Sequence, residues 1–167
     1  MGQKIGSFEG WGQVQIVLGS THIVQQLLFS LFPSILVFDF DNYYLGGVIA
    51  EHLGTQGKQT HYATPAGHAS AWTFMTNELP FVYQALSRSG VTLHTTANLM
   101  RFDGTHAHLQ NLFNAEPIEL NVDAIVMVGH REPRDALYQS LISSAEGAAH
   151  SSISLVGDAL APGAIVH

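Results

Sequence analysis

The run Ile35-Leu36-Val37-Phe38 constrains this chain more than any other feature. Four consecutive apolar residues offer no polar face, so a strand built from them must be covered on both sides. Parallel sheets packed between two layers meet that condition. The neighbouring residues agree: Asp39-Phe40-Asp41-Asn42-Tyr43-Tyr44-Leu45-Gly46-Gly47 reads as a turn, and Val48, Ile49 and Leu53 carry helical spacing that predicts a helix over 48–56. Gly57 stops that helix, and Lys58 to Thr64 alternates as a second strand. A strand, a helix and a strand in this order imply a parallel pair joined by a right-handed crossover.

The rest of the chain extends that unit. Ser20 or Thr21 caps a short helix whose apolar face is Ile23, Leu27, Leu28 and Leu31, and Pro33 closes it. A second crossover helix is predicted from Trp72 or Thr73 to Ser89, interrupted near Pro80, with a third strand over 91–95. From Ala97 to Leu120 the pattern becomes short alternating pieces separated by Asp103-Gly104 and Asn114, the signature of an antiparallel meander. Asp123 to Val128 reads as a buried strand, Asp135 to Ala145 as a helix, and Ile153 to Val156 as a last short strand. The predicted fold is α/β: a Rossmann-like three-layer domain with a parallel sheet of three or four strands, a small antiparallel meander, and helices on both faces. Residues 1–33 form an N-terminal segment with a short apolar helix, and residues 34–167 the Rossmann-like domain.

Composition removes several classes of function. Net charge is -7 with six Lys and Arg in all, and no basic run, so the clustered cations that a phosphate backbone needs are lacking. With no cysteine there are no disulfides, thiolate metal ligands or cysteine nucleophile. The most apolar stretch, Val14 to Phe40, is broken by Gln15, Ser20, Thr21, His22, Gln25, Gln26 and Pro33, so a membrane span is not expected. No signal peptide is expected either, which makes a soluble cytoplasmic protein the default. Charged residues are 11% of the chain, under half the usual ~25%, and a surface so poor in charge is expected to be partly covered by a partner.

Three separated motifs coincide in order and spacing: Ile35 to Glu51, Val126-Met127-Val128-Gly129-His130-Arg131-Glu132-Pro133, and Ile153-Ser154-Leu155-Val156-Gly157-Asp158-Ala159-Leu160-Ala161-Pro162-Gly163. Together they resemble the C-terminal part of the trimethylamine dehydrogenase, dimethylamine dehydrogenase and dienoyl-CoA reductase family, over roughly Val17 to His167. The resemblance implies an NAD-type domain followed by a short piece re-entering an FAD-type domain. It also implies that the family's flavin-bearing barrel and the first half of the FAD-type domain are missing here. By the same resemblance, Asp158 after Gly157 would hydrogen-bond a ribityl or sugar-phosphate group of a flavin.

The residues themselves temper that implication. A dinucleotide turn normally presents Gly-x-Gly-x-x-Gly to a pyrophosphate at a helix N-terminus. Here Asp39 and Asp41 stand where the first glycines would lie, and two carboxylates repel a diphosphate and occupy its space. The candidate cofactor-binding positions are Asn42, Gly46 and Gly47 in this turn, with Gly157 and Asp158 in the later one. A turn capped by its own Asp or Asn side chains is the competing account. The second strand ends His61-Tyr62-Ala63-Thr64, without the acid that would hold a ribose hydroxyl.

Among ten histidines, His106 and His108 share one strand face, yet two ligands do not make a zinc site, and no metal is expected. His61 and His68 have no evident third partner. No Gly-x-Ser-x-Gly elbow is present, no carboxylate pair has the geometry of an acid and a base, and no catalytic residue is assigned. The aromatic stretch Trp72, Phe74, Phe81 and Tyr83 reads as packing.

The expectation is therefore a scaffold or oligomerisation module derived from a flavin-dependent oxidoreductase. It would lack independent catalysis and a resident cofactor, and would form homo-oligomers through a former interdomain surface. The alternative is a module that binds an adenine nucleotide (ADP, NAD(P)H or FAD) or an electron-transfer component.

Overall fold

The computed structural model describes residues 32–129, 133–143 and 153–160, in two units that divide after Gly129. In the first unit, β1 (Ser34–Asp39), β2 (Gln59–Ala63), β3 (Thr92–His94) and β7 (Ala124–Val128) form a parallel sheet in the order β3-β2-β1-β7. The antiparallel meander is β4 (Ala97–Phe102), β5 (His106–Asn111) and β6 (Pro117–Asn121). Helices α1 (Tyr44–Thr55) and α2 (Leu79–Arg88) make the two crossovers.

β1 is the central strand that its sequence required, with every residue from Ile35 to Asp39 buried. On one face Leu36, Phe38, Ala63 and Ile125 pack against the inner side of the meander: Ala97, Leu99, Phe102, Ala107, Leu109 and Leu120. On the other, Ile35, Val37, Tyr62 and Val128 pack against Ala50 and Leu53 of α1 and Leu86 of α2. The three layers are thus meander, sheet and helices. Among the described residues both crossover helices lie on one face, which corrects the expectation of helices on both. The alternating strands of the meander supply an apolar side that replaces a helical layer on the other face.

α1 begins a full turn earlier than predicted. Gly46 and Gly47 weaken helical propensity, but they are buried within the first turns of α1, where no larger residue fits. The second crossover divides into a short 3-10 turn (Ala71–Phe74) and α2, with Pro80 in the first turn of α2, where its missing N–H costs nothing. In β4 the ladder slips between Leu99 and Arg101, a bulge that leaves Met100 exposed.

In the second unit, α3 (Ala136–Ser143) has no buried residue, and Leu137, Leu141 and Ile142 are exposed. The predicted strand over 153–156 does not form. Val156 is extended, at φ -141° and ψ 156°, but an extended segment becomes a strand only beside a partner, and these residues have no ladder. A 3-10 turn (Gly157–Ala159) follows. The predicted apolar helix over 23–31 lies outside the described residues. No helix among the described residues is long and apolar enough to cross a membrane.

Candidate functional site at the carboxyl end of the parallel sheet

Ligands of open α/β sheets sit beyond the carboxyl ends of the strands, at the first turn between strand and helix. Here that turn runs from Asp39 to Tyr43, and its interior belongs to the protein's own side chains. Asp39 is fully buried. Its Oδ2 accepts a 2.5 Å hydrogen bond from the Tyr62 hydroxyl, and its Oδ1 accepts the Asn42 amide at 3.0 Å. The Tyr62 oxygen in turn accepts the Ser70 amide at 2.9 Å. Asp39, Tyr62 and Ser70 form one hydrogen-bonded chain spanning β1, β2 and the start of the second crossover.

Two glycines allow this arrangement. A Cβ at Gly46 would lie 2.5 Å from Cγ and Oδ2 of Asp39, and one at Gly47 would lie 2.7 Å from Oγ of Ser70. Gly46 and Gly47 therefore answer a need for space, helix start against strand end, as the last glycine of a dinucleotide turn does. The groups they accommodate belong to the same chain, the carboxyl of Asp39 at Gly46 and the hydroxyl of Ser70 at Gly47.

Asn42 is tied down as firmly. It adopts φ +61°, a conformation that asparagine tolerates better than most residues. Its side-chain oxygen accepts the Thr64 hydroxyl at 2.9 Å, its amide nitrogen donates to the Phe40 carbonyl at 3.0 Å, and its own carbonyl accepts the Trp72 amide at 3.1 Å. Thr64, at the end of β2 where a ribose-binding acid would stand, is buried and also accepts the Ala66 amide. The side-chain cap expected at the start of the helix does not form; instead the turn amide of Asn42 donates to Asp39. Tyr43 precedes α1 and makes no side-chain cap.

Burial is the main influence on the buried pair. Removal from water raises the pKa of Asp39, opposed by the Tyr62 and Asn42 hydrogen bonds and reinforced by the charge of Asp41. Burial, then the neighbouring Asp39, pushes the Tyr62 phenol well above its ordinary range. At the rim, the Thr76 hydroxyl and then that of Tyr44 hold Glu78 below the usual carboxylate range. A cleft of about 40 Å³ lies between α1 and α2, lined by Tyr44, Gly47, Val48, Ser70, Val82 and Leu86 among others. It suits a few water molecules, not a nucleotide, since ligand pockets measure roughly 300–1,000 Å³. At the head of the turn the Asp39 side chain thus fills the space against Gly46, and the Asn42 amide is already engaged by it, while the first amides of α1 carry no side-chain cap.

Gly157 takes φ +59° at the head of its 3-10 turn, in the second unit, and the side chain of Asp158 lies outside the described residues. His106 and His108 lie beside carboxylates: His108 stands 3.4 Å from both Asp103 and Glu119, and His106 stands 3.6 Å from Asp103. Among the described residues no group of three or more His, Cys, Asp or Glu could hold a metal ion. His68 lies edge-on to Tyr83. Trp72 stacks on Tyr43 with ring centroids 5.7 Å apart and remains 45% exposed, while Phe74 and Phe81 are exposed as well, so this stretch is only partly packing.

No protein-family model and no curated protein matches the chain. Solved structures do. A histamine dehydrogenase from Rhizobium sp. 4-9 matches with a TM-score of 0.71 and 26% identity, over 79% of this chain and 20% of that one. The fold is Rossmann-like, of the kind oxidoreductases carry. A 6-hydroxypseudooxynicotine amine oxidase from Pseudomonas geniculata N1 also reaches 0.71, with 27% identity over 83% of this chain and 21% of that one. The thioredoxin reductase of T. acidophilum, at 0.53 and 8% identity over 69% of this chain and 37% of that one, shares the fold alone. This chain spans about a fifth of the length of the first two.

Proposed function

We propose that the chain is the NAD-type domain of an amine-dehydrogenase-like oxidoreductase, kept as a scaffold after its dinucleotide turn was filled from within. Two matches near a quarter identity, a histamine dehydrogenase and an amine oxidase, support the amine branch. One observation carries the scaffold role: the buried carboxyl of Asp39, bonded by Tyr62 and wedged against Gly46. A phosphate placed there would meet a carboxylate in place of backbone donors. On this reading Gly157 and Asp158 belong to a remnant of the FAD-type domain, and the chain has no catalytic group of its own. Its exposed Leu45, Val48, Phe74, Met75 and Phe81 then serve assembly with a second copy.

A second reading has one observation in its favour. α1 begins without a side-chain cap and without an acid in its first turn, beside the half-exposed Trp72 ring, so an adenine nucleotide could rest its phosphate and base there. Isothermal titration calorimetry with ADP, NADH, NADPH and FAD at low salt separates the two. The scaffold reading predicts no saturable heat. Binding tighter than about 100 μM, about -5.5 kcal/mol, would replace it with the nucleotide module.

A further inference from the structure

Two half-buried histidines lie outside the turn. His61 on β2 and His94 on β3 belong to adjacent parallel strands, where His94 pairs with Ala63, so the two imidazoles meet diagonally on the face turned towards the meander. Nδ1 of His61 and Nε2 of His94 are 3.1 Å apart, and the rings tilt 36° at a centroid distance of 5.3 Å. In the neutral pair one ring donates and the other accepts.

His94 is also where the sheet passes into the meander. Its carbonyl accepts the Thr64 amide at 3.1 Å. The chain then turns through Thr96, at φ +54°, and is held by Thr96 donating to Ala66 at 2.9 Å and Ala97 donating to Thr64 at 3.0 Å. β3 is a three-residue edge strand, so few ladder bonds hold it besides this pair.

Among the described residues no opposite charge answers the imidazoles. Sharing their face are Leu36 and Phe38 of β1 and, across the layer, Ala97 and Leu99 of β4 with Ala107 and Leu109 of β5, all apolar. The Gln59 amide lies 3.5 Å from His61. Asp39 and Tyr62 lie on the opposite face of the sheet, with the helices, and Asp103, His106, His108 and Glu119 gather on the outer side of the meander. Burial holds both imidazoles below the ordinary value of 6.5, and the charge of His61 lowers His94 further.

We propose that the His61–His94 pair is an acid-operated latch: neutral, it ties β3 and the start of the meander to β2, and fully protonated, it releases them. The sign comes from proton counting. Below about pH 6.5 the unfolded or opened segment binds more protons than the closed pair, so closure is complete above that pH and weakens as the pH falls.

Amide hydrogen exchange on the full chain at about pH 7.5 and about pH 5.5, corrected for intrinsic rates, reads the latch directly. The amides of Thr64, Thr96 and Ala97 are expected to lose protection on the order of tenfold on acidification, relative to amides in the β1–β7 ladder. In the double variant His61→Gln with His94→Gln that loss should vanish. A histidine NMR titration of the unaltered chain gives an independent reading, in which the pair should titrate in coupled steps below the ordinary value of 6.5. Protection that ignores pH, a pair titrating at the ordinary histidine value, or a loss that persists in the double variant would each overturn the latch.

Discussion

Replacing Tyr62 by Phe removes one oxygen from the middle of the buried network and leaves the ring in place. That oxygen serves two partners, donating to Oδ2 of Asp39 at 2.5 Å and accepting the Ser70 amide at 2.9 Å. Asp39, Tyr62 and Ser70 are all fully buried, so bulk solvent does not reach either bond. A buried polar group left without its partner costs about 1–3 kcal/mol. Two such groups give a loss of about 3 kcal/mol, allowing for Asp39 keeping its bond from Asn42. At about 2–4 °C per kcal/mol for a chain of this size, Tm should fall by about 6–12 °C. Urea unfolding followed by circular dichroism measures the change. Replacing both polar groups, as in Asp39→Val with Tyr62→Phe, should cost less than the sum of the single changes, because apolar partners leave fewer orphans. A loss under about 0.5 kcal/mol for Tyr62→Phe, the range of ordinary surface changes, would mean that the two bonds do not hold the network together.

Gly46→Ala would gain about 1 kcal/mol from helix propensity alone, but its Cβ would lie 2.5 Å from the held carboxyl of Asp39. Overpacking at about 1–3 kcal/mol should outweigh the gain, and denaturation should show a net loss. Asp39 has a raised pKa, so the folded chain keeps its proton above the ordinary 3.8, and stability falls as pH rises from there through the folded value. Asp39→Asn should remove that part of the stability–pH slope, read by unfolding at a series of pH values between about 3 and 8.

The parallel sheet was legible because Ile35 to Phe38 can only be a doubly covered strand, and the meander because Asp103-Gly104 separates alternating runs. Asp39 was visible as an obstacle to phosphate. Its partners were not, because Tyr62 and Ser70 meet it only once β1 and β2 pair in register and the crossover folds back. The same holds for His61 and His94, which lie 33 positions apart and meet through a diagonal of the β2–β3 register that no spacing encodes. Residues 153–156 mislead in the opposite way: their apolar pattern is strand-like, but a strand also needs an edge to join. The early start of α1 was hidden by glycines that lower propensity and that packing nonetheless requires.

If the turn's own side chains occupy the place of a dinucleotide phosphate, a nucleotide should find nothing to bind there. Site-resolved NMR checks this at the residues concerned: ADP is titrated to millimolar concentration while the amides of Asn42, Tyr44, Gly46 and Gly47 are followed. These resonances are expected to stay where they are, with Gly46 and Gly47 no more responsive than amides in the meander. Saturable shifts confined to residues 42–47 would contradict the filled turn and show that it still receives a nucleotide despite Asp39.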